Sequence, residues 1–212
     1  MSVSAVVVAA GRGERFGAQK QFLTLGESTI AAASVAAARC VADTVVLVVP
    51  DTYSGSGEGA DIVVTGGATR SSSVRHGLDV LGDVDVVVVH DAARPLATPA
   101  LFHAVVRAVH AGAAGAVPAL EITDTVKRVQ RSDITRVVET VDRTTLVTVQ
   151  TPQAFRLSEL REAHHSGAEA TDDAALLELR GALVVAVPGE PTNIKVTVPE
   201  DLVRVRELVK ES

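Results

Sequence analysis

SAVVVAAGRGERFGAQKQ, Ser4 to Gln21, passes from an apolar, β-branched run directly into a loop of glycines and cations. The run reads as a strand covered on both faces, as in parallel sheets. A glycine-rich loop between a first strand and a first helix turns backbone N–H groups toward a phosphate. Walker A geometry requires Gly-Lys-Ser/Thr at its end, and this loop has none. The dinucleotide fingerprint requires G-x-G-x-x-G, but Gly11, Gly13 and Gly17 are spaced one residue too wide. A nicotinamide dehydrogenase is therefore poorly supported. Arg12, Arg15 and Lys20 instead bring several positive charges to one loop. That density suits a triphosphate better than a tight turn with solvated charges.

The same strand signature recurs in DTVVLVVP (43–50), ADIVVTGG (60–67), DVDVVVVHDA (83–92) and GAVPAL (115–120). Helical patterns lie between these runs, in STIAAASVAAARC (28–40), TRSSSVRHGLDVL (69–81) and TPALFHAVVRAVHAG (98–112). Thr98 with Pro99 starts the last of these, and Gly112 ends it. Alternating strands and helices predict a doubly wound, mostly parallel α/β sheet. Further on, LSELREAHHSG (157–167) and residues 171–179 read as helices, ALVVAVPG (182–189) and NIKVT (193–197) as strands. A closing helix starts at Pro199. Residues 121–150 break the pattern by alternating polar and apolar positions around an RSD turn, which reads as a β-hairpin. An isolated hairpin is marginal in water. Its apolar face needs a cover, either another subunit or the chain's own sheet.

Composition narrows the function. Aromatic residues are 2% of the 212, and the net charge is −6, so stacking platforms and general nucleic-acid binding are not expected. The single Cys40 excludes an internal disulfide and reads as a small core residue. No run is long enough for a membrane span, and the N-terminus lacks a basic leader, so a cytoplasmic protein is expected. His164 and His165 read as exposed, His90 as structural, and His103 and His110 lack carboxylate partners at ligand spacing. Polar clusters follow successive strands: TGGATRSSS (65–73), HDAARP (90–95), TPQ (151–153), TDD (171–173) and NIKVT. Ligands of open α/β sheets bind at those carboxyl ends. One acid, Asp91, with several cations around one crevice suits metal-assisted chemistry on phosphate.

AAGRGERFGAQKQ, GGATRSSSV, VHDAARP, TDTVKR, TVDR, TPQAF, TDDAA and NIKVT occur in this order. In them the chain resembles the 2-C-methyl-D-erythritol 4-phosphate cytidylyltransferases over nearly its whole length. HDAARP, TPQ and NIKVT carry more weight than the glycine loop. The resemblance implies a Rossmann-like nucleotidyltransferase fold, glycosyltransferase-A-like, over 1–212, with 121–145 as a dimerisation arm. It implies CMP transfer from CTP to 2-C-methyl-D-erythritol 4-phosphate, with Mg²⁺ or another divalent cation. The attacking phosphate monoester is mostly dianionic at neutral pH, its second pKa being about 6, so no general base is needed.

By the same resemblance, Gly11 and Gly13 form the triphosphate cradle. Arg15, Lys20 and Lys195 are the catalytic cations. Ala9, Ala10, Gly67, Ala68 and Ser73 make the base pocket, and Asp91 and Ala92 lie by the ribose, with Asp91 on the metal. Arg94, Thr151 and Thr171 hold the acceptor, while Thr125 and Arg143 complete the partner's site in a homodimer. Three features depart from the family: Gln19 precedes Lys20 after a shortened loop, Ala68 replaces a common acid, and residues 51–60 are too short for a helix. Ribitol 5-phosphate cytidylyltransferases share the architecture and remain an alternative, as does a non-catalytic nucleotide-binding module.

Overall fold

The Val-rich runs become neighbouring strands of one sheet. The computed structural model describes residues 1–11, 13, 16–165 and 167–211. Its strands are β1 (Val3–Val8), β2 (Thr24–Leu25), β3 (Ser28–Thr29), β4 (Thr44–Val49), β5 (Ile62–Thr65), β6 (Val86–Asp91), β7 (Gly115–Glu121), β8 (Val126–Arg131), β9 (Thr135–Val141), β10 (Val147–Val149), β11 (Gln153–Arg156) and β12 (Val184–Pro188). Its helices are α1 (Ile30–Ala38), α2 (Arg70–Asp79), α3 (Pro99–His110), α4 (Leu157–His165), α5 (Asp173–Glu178) and α6 (Pro199–Glu211).

β5, β4, β1 and β6 lie side by side and parallel. β11 inserts antiparallel between β6 and β7, and β12 runs parallel along the outer side of β7. β10 continues the antiparallel pairing along the far end of β7. Alternate residues of each strand point to opposite faces. Val7, Leu47 and Val88 therefore meet α1 and α3, through Val35, Phe102 and Val105. Val6, Val48 and Val89 meet α2, α4 and α5, through Val74, Leu160 and Leu177. This is the doubly wound α/β sheet that the sequence predicts. Thr29 and Thr98 cap α1 and α3 by accepting the Ala32 and Leu101 N–H groups.

The hairpin of β8 and β9 shares no strand pairing with the main sheet. Ile134 is 76% exposed, and Val137 and Val138 are more than half exposed. The arm therefore projects; it does not fold over its own sheet. Residues 51–60 form a loop without a helix, as expected, though Tyr53 and Glu58 tie it to the cap of α1.

Other details differ from expectation. TPQAF contributes strand β11, which is too short to show a period. NIKVT forms no strand; it is a loop held to the sheet by Val196 N–H donating to the Ala93 carbonyl at 2.8 Å. Cys40 lies past the end of α1 in an exposed turn, outside the core. His164 is buried, because α5 folds back over that face of α4.

Gly77 marks where α2 presses closest to the sheet. A Cβ there would sit 2.5 Å from Val6 Cγ1 and 3.1 Å from a Val48 methyl. Both neighbours are stiff, buried, β-branched side chains. Gly77→Ala gains about 1 kcal/mol of helix propensity. Overpacking takes back about 1–3 kcal/mol. We expect a net loss of stability, read as a lower urea midpoint; a midpoint at or above wild type would refute the tight contact.

Candidate active site

The carboxyl ends of β1, β5 and β6 open into a cavity of about 410 Å³. Ala9, Ala10, Gly11 and Gly13 line it from the first loop, with Lys20 and Gln21 behind them. Gly67, Ala68, Arg70 and Ser73 approach from the start of α2, Asp91 from the end of β6, and Lys195 from the NIKVT loop. Ala93, not Ala92, reaches the cavity; Ala92 is buried, its N–H on the Val8 carbonyl and its own carbonyl accepting from Ser34. A smaller cavity of about 240 Å³ lies by Met1, Val84 and His110 at the opposite end of the strands. It holds one carboxylate, Asp85, which is spent on the Ser2 amide.

The glycine loop is set from behind. Gln21 is buried, and its Nε2 donates to the carbonyls of Ala9 at 2.7 Å and Gly11 at 2.9 Å. In a trans peptide the N–H points opposite to the C=O. Fixing the Ala9 carbonyl to Gln21 thus aims the Ala10 N–H the other way. Gly13 has φ +70°, and a Cβ there would fall 1.8 Å from the Ala18 carbonyl oxygen. Only glycine fits this turn. Lys20 Nζ lies 6.0 Å from the centre of the Phe16 ring. Gln19 donates to Thr52 Oγ1 at 2.8 Å, joining this loop to residues 51–59. Arg15 and Arg12 lie outside the described residues.

Asp91 is the electrostatic centre. Lys195 Nζ is 2.6 Å from Oδ2, and Arg70 Nε is 3.3 Å from Oδ1. Burial alone would raise the Asp91 pKa, but the charges of Arg70 and Lys195 outweigh it and hold the carboxyl well below the usual range. Arg70 is also 2.7 Å from Asp173, which is fully buried and takes His164 Nε2 at 2.9 Å. Burial likewise works against ionised Asp173, and His164 and Arg70 overcome it.

A second chain of hydrogen bonds runs under the cavity floor. Burial holds His90 neutral, its pKa lowered to about 4. Its Nε2 faces the Arg94 carbonyl at 3.1 Å, so Nε2 carries the proton and donates. Nδ1 therefore accepts from Thr151 Oγ1 at 3.1 Å, while that oxygen accepts from Asp91 N–H at 3.0 Å. The Thr151 hydroxyl is engaged on both sides. Arg94 Nη1 donates to the Asn193 carbonyl, and Asn193 Nδ2 to the Thr151 carbonyl. Arg94 and Thr151 thus sit beneath the cavity and brace the loop that carries Lys195. Thr125, Arg143 and Thr171 are exposed and do not line it. Sequence reasoning assigned no role to Arg70, Asp173, His164 or Gln21. TDD and GGATRSSS pointed at the first two; nothing local marks His164 or Gln21 as buried partners.

A family model described as 2-C-methyl-D-erythritol 4-phosphate cytidylyltransferase matches residues 3–211. A bifunctional enzyme IspD/IspF of Anaeromyxobacter sp. (strain Fw109-5) is 44% identical over 98% of this chain and 57% of its own length. The chain thus spans little more than half of the bifunctional relatives it matches. A 2-C-methyl-D-erythritol 4-phosphate cytidylyltransferase of Rhodococcus jostii (strain RHA1) is 42% identical over 99% of this chain and 96% of its own. The solved structure of the Thermus thermophilus enzyme of that name superposes with a TM-score of 0.84 at 35% identity, over 99% of this chain and 100% of the other.

His90 carries a pH prediction. The folded state keeps it neutral down to about pH 4, whereas an unfolded histidine protonates near 6.5. Unfolding takes up a proton in that window. Stability is therefore retained above pH 6.5 and falls as pH drops toward 4, by on the order of 3 kcal/mol. The depressed Asp91 pKa acts at lower pH, because its contribution persists until the pH falls through its folded value. Urea midpoints stepped from pH 7 to 4 should decline in wild type and flatten in His90→Gln; equal slopes would refute a buried neutral His90.

Proposed function

The chain belongs to the 2-C-methyl-D-erythritol 4-phosphate cytidylyltransferase family, and on that premise we propose that it transfers CMP from CTP to 2-C-methyl-D-erythritol 4-phosphate. A substrate phosphate oxygen attacks the α-phosphorus of CTP in line. The new P–O bond forms as the α–β anhydride bond breaks, and pyrophosphate leaves. The observation that carries this reading is the facing of Lys195, Asp91 and Arg70 against the glycine loop with Lys20, across one cavity. The nucleophile is already an anion, and His90, buried and bonded at both nitrogens, is not offered as a base.

The difficulty is bringing one anion onto another, which positioned cations relieve. Lys20, from the glycine loop, and Lys195, from the NIKVT loop, both reach the cavity and meet the triphosphate there. Lys195 is 42% exposed on its side chain and turns from Asp91 to the α-phosphate when CTP binds. Arg15 joins Lys20 at the phosphates. Ala9, Ala10, Gly67, Ala68 and Ser73 are small enough to admit a pyrimidine and leave main-chain groups to read its edge. Asp91 is the one carboxylate lining the cavity among the described residues, and these hold no cluster of three metal-ligating side chains. That donor set fits Mg²⁺ held by one carboxylate and by substrate phosphates. When bound, the ion neutralises charge on the phosphates.

The projecting arm supports a homodimer in which Thr125 and Arg143 reach the partner's cavity, with 1–212 acting as one catalytic unit. No helix among the described residues is long and apolar enough to cross a membrane. The phosphorylated, water-soluble substrates of the proposed reaction support a cytoplasmic enzyme.

Pyrophosphate release from CTP and Mg²⁺ should require 2-C-methyl-D-erythritol 4-phosphate and be lost in Lys195→Ala. Release with ribitol 5-phosphate instead would move the acceptor; release with neither would sink the reading. The arm has its own test. Arg143→Ala and Lys195→Ala homodimers should each be inactive, yet mixing and re-equilibrating them leaves one intact site in every heterodimer. About a quarter of wild-type activity should return. No recovery would mean that Arg143 does not serve the partner's site.

A further inference from the structure

Arg70 lies between two carboxylates that are far apart in the sequence. Its Nε reaches Asp91 at 3.3 Å and its Nη1 reaches Asp173 at 2.7 Å. Asp173 is the first residue of α5 and fully buried. Its other oxygen takes His164 Nε2 at 2.9 Å, from the last turn of α4. Lys195, Asp91, Arg70, Asp173 and His164 therefore form one line of contacts from the cavity into the interior.

Stability does not account for this line. Replacing a buried ion pair by apolar groups of similar shape is often neutral or stabilising. Geometry does account for it. A guanidinium facing a single carboxylate tends to grip both oxygens at once through two parallel N–H bonds. Arg70 does not do so: with Nη1 anchored on Asp173, the guanidinium is turned so that Nη2, the group beside Nε that would complete such a pair, is buried and finds no partner among the described residues. It touches Asp91 through Nε alone, at Oδ1, and Oδ2 is left to Lys195. His164 takes the second oxygen of Asp173, which fixes the plane of that carboxylate and so the direction from which it pulls.

We infer that Asp173 and His164 are positioning residues for the reaction: they restrict Arg70 to one-point contact with Asp91 and so keep the second Asp91 oxygen available to Lys195 and to bound substrate. The inference rests on the proposed cytidylyl transfer, and its test separates the two.

Wild type, Asp173→Asn, His164→Leu and His164→Gln would be compared by steady-state pyrophosphate release, thermal melting and ¹⁵N NMR of the Arg70 guanidinium. Asp173→Asn should lower kcat by about tenfold to a hundredfold at a temperature where it is fully folded. KM for CTP should move much less than kcat. His164→Leu should lose part of kcat, and His164→Gln, which keeps a side-chain N–H donor, should recover most of that loss. Wild-type Arg70 should show separate Nη signals, slowed by its two anchors, and Asp173→Asn should merge them. A lower melting temperature with unchanged kcat, or Nη signals still separate in Asp173→Asn, would overturn the inference. Wild type that releases no pyrophosphate would sink the cytidylyl-transfer reading, and the Nη signals would still decide whether Asp173 holds Arg70.

Discussion

Asp91 ends β6 with its carboxylate largely removed from water, and it stays ionised there because Lys195 and Arg70 reach it from either side. Much else in the site follows from this arrangement. Removing one member of a buried pair leaves the other charge uncompensated, which is strongly destabilising. The elements that supply the two cations are therefore bound to the end of β6. Arg70 ties the start of α2 to it, and Lys195 ties the loop before α6. Neither cation is a sequence neighbour of Asp91. The sheet brings them together because β1, β5 and β6 all point their carboxyl ends the same way.

Around that charge centre the chain uses backbone geometry and not added charge. Gln21 takes two loop carbonyls, and Gly13 accepts a positive φ that no side chain could share. Under the floor, His90 and Thr151 spend their polar atoms on each other and on the main chain. Gln150 and Asn193 hold the Lys195 loop, with Gln150 Nε2 donating to the Glu190 and Asn193 carbonyls. Apart from the Arg94 guanidinium on the Asn193 carbonyl, both shells are built from neutral groups, whose burial costs far less than that of charges once they are hydrogen-bonded. In the proposed reaction such a frame holds the loops that carry the cations, so that the Lys195 side chain turns on a fixed backbone when nucleotide binds and little reorganisation is left for the chemical step.

The strands of the fold were legible because short, nearly continuous runs rich in β-branched Val suit a sheet covered on both faces. The glycine loop's place on the cavity was legible because bare glycine backbone and cations coincide there. β11 was not, since Gln153–Arg156 is too short to display a period and takes its place only by pairing with β6 and β7. NIKVT looked like a strand, yet its apolar members, Ile194 and Val196, pack with α6 residues such as Leu202 and Val205 instead of joining a sheet edge. His164 looked exposed beside His165. Its burial depends on α5, whose Asp173 meets it across a loop that one-dimensional patterns do not fold. Asp91 and Lys195 were both singled out, but their contact joins residues 104 positions apart, a distance that spacing rules do not reach.

In the proposed reaction Asp91 holds Lys195 until nucleotide takes it. A crystal structure with a non-hydrolysable CTP analogue and Mg²⁺ tests it most directly. Lys195 Nζ should leave Asp91 Oδ2, from which it is 2.6 Å here, and contact an α-phosphate oxygen, while Arg70 keeps its place on Asp91. A bound analogue with Lys195 still on Asp91 and no cation other than Lys20 or Arg15 near the α-phosphate would contradict it.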